Sequence, residues 1–133
     1  MADRIKELKE EVKKGNIRAA LSLAEAFKWG YYGGSDPHGA ARMYRICCRS
    51  RDKKTASLGF FNLGNLYYCG YLSHTEEERE KDRRRAFDCF MKSAMLDENP
   101  SALSRLGDMY RYGQYVAKNE VISLALYGKA SLA

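Results

Sequence analysis

The chain has few of the residues that break helices and few of those that hold metals. Its 133 residues include only two prolines, Pro37 and Pro100, and two histidines, His38 and His74. Each proline follows an Asp or Asn, the place of a first-turn proline behind an N-cap, so neither interrupts a helix. No apolar run approaches the roughly 18 residues needed to span a bilayer. No stretch alternates with the period of two that a half-buried strand requires. The N-terminus, Met-Ala-Asp-Arg-Ile-Lys-Glu, is charged and lacks the apolar core of a secretory leader, so a cytoplasmic location is expected.

The four cysteines contain no Cys-x-x-Cys pair, and the histidines stand at no ligand spacing from them. A zinc site would need four convergent soft ligands; the thiols are read instead as small hydrophobes. A catalytic centre would need a nucleophile with a base, paired carboxylates or metal ligands brought together. His38 follows the Asp-Pro cap and His74 falls in a loop, and the glycines follow no strand that would make a phosphate-cradling turn. No catalytic residue, cofactor or metal is expected.

What the chain does have is repetition. Leu23-Ala24, Phe27 and Gly30 recur as Leu63-Gly64, Tyr67 and Gly70, and again as Leu106-Gly107, Tyr110 and Gly113. The terminal glycines lie 40 and 43 residues apart, a period typical of helical arrays. A small residue after a leucine, with an aromatic three further on, suits two helices in close contact. A second helix follows each, carrying Tyr44, Phe90 and Tyr127 at 14, 20 and 14 residues after the glycine. The six extra residues of the middle unit fall in the charged run 75–85.

Apolar spacing of three and four predicts helices over 3–14, 17–29, 37–50, 56–70, a partner helix opened by Thr75 through Ala94, then 100–112 and 119–132. Asp36-Pro37 and Asn99-Pro100 act as caps, and Thr75-Glu76-Glu77-Glu78 reads as a capping box. The chain is therefore expected to be one all-α domain over 1–133. It divides into an N-terminal capping helix (1–15), a degenerate first repeat (16–54), a second repeat with a charged insertion (55–98) and a third (99–133).

These motifs resemble the Sel-one-like repeat family, a branch of the tetratricopeptide-like repeats. The third unit carries the likeness best, from Ala102 through Leu106-Gly107, Tyr110 and Gly113 to Tyr127-Gly128-Lys129-Ala130. The resemblance covers roughly residues 16–133 and implies a right-handed α-solenoid of about three antiparallel helix pairs plus the N-terminal helix. It also implies a non-catalytic adaptor or scaffold whose concave groove, lined by the first helix of each unit, takes a peptide or protein surface. Projected onto this sequence, the groove would present Arg18, Leu21, Glu25, Lys28 and Trp29, then Phe61, Asn62, Asn65 and Tyr68. The third unit would add Ser104, Arg105, Asp108, Arg111 and Tyr112. Asn62 and Arg105 match two members of a carboxylate clamp known in tetratricopeptide domains; Leu21, Glu25 and Ser101 depart from it.

Charge offers a rival. Lys and Arg number 23 against 17 Asp and Glu, a formal net charge of +6. Arg42, Arg45 and Arg49 recur at helical spacing and would suit a nucleic acid or another anionic partner. The block Arg83-Arg84-Arg85 is better explained as a solvated face, with Glu77–Lys81 and Glu80–Arg84 as i,i+4 pairs. The last helix carries Val121, Leu124, Leu126, Tyr127 and Leu132 on several sides with no polar helix after it. It is expected to pack on a second copy, a partner or further chain, with Leu124, Tyr127 and Leu132 as contacts.

Overall fold

The computed structural model describes residues 2–132; Met1 and Ala133, the ends of the expected domain, lie outside them. Seven helices follow one another: α1 (Ala2–Lys13), α2 (Ile17–Trp29), α3 (Pro37–Cys48), α4 (Lys53–Tyr68), α5 (Glu76–Asp97), α6 (Pro100–Tyr112) and α7 (Glu120–Leu132). No strand occurs among the described residues, and no helix there is long and apolar enough to cross a membrane. The main helix contacts run between consecutive elements, so α2/α3, α4/α5 and α6/α7 stack in sequence with α1 against α2. Local chain chemistry sets this order.

The ends follow from caps. Asp36 Oδ1 accepts from the Gly39 amide at 2.9 Å, and Asn99 Oδ1 accepts from Ser101 and Ala102 at 2.9 and 3.3 Å. Gly30 closes α2 in the left-handed region at φ 69°, where a Cβ would stand 2.9 Å from the Gly33 carbonyl oxygen. Several boundaries and one cap differ from expectation. Helix α4 opens at Lys53, three residues before Ala56, because Asp52 caps it by accepting from Thr55. Helix α3 stops at Cys48. The Thr75 cap holds Glu78 N at 3.1 Å, but the Glu78 carboxylate accepts from His74 N and not from Thr75.

The charged insertion of the middle unit becomes the first turns of α5 and no loop at all. Its Asp82 is buried and accepts from Arg85 at 2.7 Å, an inward carboxylate in a run that otherwise reads as solvated. Lys81 does meet Glu77, at 3.9 Å, but Glu80 pairs with Arg83 at 3.5 Å and not with Arg84.

The core is a series of rings laid on small residues. Phe90 of α5 is fully buried against α4; a Cβ on Gly64 would come within 2.8 Å of its Cε1. Tyr127 of α7 covers Gly107 of α6 in the same way, at 2.7 Å from an added Cβ. Tyr44 packs with Ala24 in a cluster that also takes Ala40, Ala41, Leu63 and Leu66. Burial of a ring such as Phe90 contributes about 1.5–3 kcal/mol, which accounts for the Leu-Gly-aromatic repeat as packing. Two contacts were not signalled by the motif. Gly59 lets α4 approach the backbone of α3 at Cys48, and Ser57 and Ser93 bond reciprocally across α4 and α5 at 2.8 Å.

Candidate functional site

The residue after each Leu-Ala or Leu-Gly pair sits at an equivalent place in the three units: Glu25, Asn65 and Asp108. In the outer units it is a carboxylate, and the ring opposite is a tyrosine. Tyr44 donates to Glu25 Oε1 at 3.1 Å, and the Tyr127 hydroxyl makes a short bond to Asp108 Oδ1. Burial first, then the Glu25 charge and hydrogen bond, hold the Tyr44 phenol well above its ordinary pKa; burial and Asp108 raise that of Tyr127. In the middle unit the ring is Phe90, which has no hydroxyl, and Asn65 turns to the next unit to accept from Arg105 Nε at 3.0 Å.

Arg105 is the hinge of a wider network. Its guanidinium lies 5.0 Å from the Tyr68 ring and 3.9 Å from Asp108 Oδ2, and Tyr68 itself donates to Gln114 at 2.8 Å. Thus Asn65, Tyr68, Arg105 and Asp108, four of the expected groove residues, are brought together across α4 and α6. Asn62 is not; its amide donates to Leu58 O in its own helix at 2.9 Å. With Asn62 turned onto its backbone and Arg105 engaged by Asn65, the two clamp-like residues are already committed.

A second correspondence lies at the helix ends. Lys28 Nζ stands 5.0 Å from the Trp29 ring, and Arg111 stands 5.4 Å from the Tyr112 ring. These pairs hold the same position in the first and third units. Their rings are 59% and 62% exposed. Trp29 is also tied back through Nε1 to Glu25 Oε2 at 3.1 Å, so Glu25 serves both Tyr44 and Trp29. Arg18 stands exposed in the first turn of α2, apart from these contacts.

Several clefts adjoin these residues. One of about 500 Å³ is walled by Phe61, Arg105, Asp108 and Tyr127, with Ser101 and Ser104 at its edge. A smaller one of about 230 Å³ lies between Lys28, Trp29, Pro37, Leu66 and Tyr71. Tyr127, expected to serve self-association, instead faces Gly107 and Asp108. Val121, Leu124 and Leu132 remain highly exposed on α7.

Arg42, Arg45 and Arg49 are exposed along α3, and none of them is ion-paired with a described residue. Arg45 instead donates to the Tyr67 hydroxyl at 2.9 Å. Among the described residues no group of three His, Cys, Asp or Glu side chains could hold a metal ion. The two histidine rings do meet, 6.2 Å apart, although they lie 36 positions apart in sequence and nothing in their spacing signalled it.

No protein-family model and no curated protein matches the sequence. The structure is similar to the crystal structure of a Sel1 repeat protein from Oxalobacter formigenes, at 18% identity and a TM-score of 0.75, over 96% of this chain and 48% of that one. A looser overlap, at 19% identity and a TM-score of 0.43, is with a protective antigen of uropathogenic Escherichia coli strains displaying an SLR fold. It covers 92% of this chain and 32% of that one. The chain spans about half the length of the Oxalobacter protein. At that identity the likeness speaks to architecture, and the architecture is that of the Sel1-like repeat: an α-solenoid of helix pairs.

Proposed function

We propose that the chain is a non-catalytic interaction adaptor that takes a peptide or a folded protein surface along the face of its first helices. The observation that carries this reading is the pair of cation–aromatic platforms, Lys28/Trp29 and Arg111/Tyr112, exposed at matching positions of the outer units. Aromatic and arginine side chains of this kind dominate binding energy at protein interfaces, and a cation over a ring face adds about 0.5–1 kcal/mol at an exposed site. Neither ring is needed to fill the core. Phe61 and the mixed polar and apolar cleft beside Arg105 offer a further contact surface, while Asn65, Tyr68, Asp108 and Glu25 hold the surface rigid more than they bind. That is a narrower set of contacts than sequence position alone implied.

The cytoplasm suits this reading, because its reducing conditions keep the four thiols free. Self-association through Val121, Leu124 and Leu132 would bury apolar surface that α7 leaves open, and belongs to the same proposal. The rival reading, nucleic acid on Arg42, Arg45 and Arg49, makes opposite demands on salt.

The test is a pull-down from host lysate with tagged protein at low and moderate salt, with and without nuclease. A discrete protein retained after nuclease and moderate salt, and lost with Trp29→Ala/Tyr112→Ala, supports the adaptor. Material released by nuclease or modest salt overturns it in favour of the arginine stripe.

A further inference from the structure

A different surface has the features of a second site. Helices α3 and α5 flank α4 and leave between them a cleft of about 460 Å³. Its floor is apolar, formed by Phe60, Leu63 and Tyr67 with the thiols of Cys48 and Cys89 beside them. Its rim carries Arg45 and Arg49 from α3 and its C-cap, Arg85 and Lys92 from α5, and a single acid, Asp88. Arg85 is already paired with the buried Asp82 at 2.7 Å. Arg45, Arg49 and Lys92 have no carboxylate partner among the described residues.

The cations are also held in place over the floor. Lys92 Nζ stands 5.4 Å from the Phe60 ring, and Arg45 Nη2 donates to Tyr67 O–H at 2.9 Å. Both cations act on the Cys48 and Cys89 thiols from opposite walls, partly offsetting the rise that burial causes in each. Three cations without a carboxylate bond stand around an apolar floor, so an anion entering the cleft meets a favourable potential that salt weakens.

We propose that this cleft binds an acidic segment of a partner protein, in which two or more carboxylates flank an apolar side chain. Arginine donates two parallel N–H bonds to a carboxylate, so Arg45 and Arg49 would hold carboxylates along one wall and Lys92 another across the floor. The apolar side chain would lie on Phe60 and Leu63. Nucleic acid fits less well for two reasons. Lys92 and Arg85 stand over the Phe60 and Tyr67 rings at 5.4 and 5.9 Å, so a base would have to displace a cation to stack face to face, whereas an aliphatic side chain needs only the ring edge. A phosphate backbone carries a charge at every step and cannot avoid Asp88, whereas a peptide can place its uncharged residue opposite it. The site lies apart from the helix-end platforms and stands or falls separately from them.

The experiment is a peptide array probed with the whole chain at physiological salt, built from glutamate hexapeptides with one Leu, Phe or Ser at each position, with oligouridylate spots beside them. The expected result is retention on Leu- or Phe-bearing peptides above their Ser counterparts. Arg49→Glu/Lys92→Glu, both surface substitutions whose folding is checked by circular dichroism, should reduce it at least tenfold, and Trp29→Ala/Tyr112→Ala should leave it unchanged. Equal retention of Ser peptides, stronger retention on oligouridylate, no retention on any peptide, or retention unaffected by the charge reversal each overturns the proposal.

Discussion

The Tyr44 hydroxyl donates to Glu25 at 3.1 Å, and the same bond recurs between Tyr127 and Asp108 one full array away, while the unit between them has Phe90 opposite Asn65. Tyrosine faces carboxylate twice, and a ring without a hydroxyl faces an amide once. The chain has thus matched donor to acceptor at each repeat. A partly buried carboxylate that loses its donor costs about 1–2 kcal/mol. Tyr44→Phe should therefore lower stability by about that much in urea denaturation. An unchanged midpoint would mean that Glu25 is satisfied without the phenol.

The glycine of each Leu-Gly pair makes a second prediction. In Gly64→Ala the new Cβ meets the Phe90 ring at 2.8 Å, and that ring is fully enclosed. Overpacking of about 1–3 kcal/mol outweighs the gain of up to about 1 kcal/mol in helix propensity. Gly107→Ala meets Tyr127, which stands at an open edge and can swing away. Gly64→Ala should cost about 1–2 kcal/mol in urea and Gly107→Ala clearly less; the reverse order would contradict the packing described.

The legible part of the molecule was the part fixed by local spacing. Helix type, the three Leu-Gly/Ala contacts and the Asp36 and Asn99 caps could be read because each depends on residues within one or two turns. Contacts between units could not be. Nothing in the sequence placed Arg105 on Asn65 or joined His38 to His74, since those distances are set by how the pairs stack. The charged run 75–85 misled for a related reason: the burial of Asp82 depends on how α5 packs on its neighbours. Most of the residues expected to line a groove do lie off the packing stripe, but Leu21, Phe61 and Tyr68 pack partly against the core, and periodicity says nothing of which ones bond to each other.

Thiol chemistry should separate the four cysteines. Cys69 is exposed at the end of α4, whereas Cys47 and Cys89 are buried and Cys48 is half-buried. Burial pushes the Cys47 and Cys89 thiols up to about 11 and that of Cys48 to about 12, so little reactive thiolate is present at neutral pH. Ellman titration of the native chain should show one fast thiol, abolished by Cys69→Ser. A second fast thiol would contradict the packing of α3 on α4.

Those same shifts make the fold sensitive to alkali. A group that holds its proton more tightly when folded stabilises the fold below its unfolded pKa, and loses that contribution as pH rises above it. For Cys47, Cys48 and Cys89 the unfolded value is 9.0 and for Tyr44 it is 10.0. The Tm should hold from pH 7 to about 8.5 and then fall steadily from pH 9 to 11. Tyr44→Phe should flatten the part above pH 10. A Tm that stays level through pH 11 would show that these groups titrate as freely folded as unfolded.

If a partner seats on the exposed aromatic platforms, Trp29 reports on it directly because it is the chain's one tryptophan. The measurement is its emission spectrum during titration with the protein retained in the nuclease-treated pull-down, using partner in which tryptophan has been replaced by phenylalanine. A saturable blue shift is expected as the ring leaves water, absent in Tyr112→Ala at the same concentrations. Saturable binding with the Trp29 emission unmoved would contradict it.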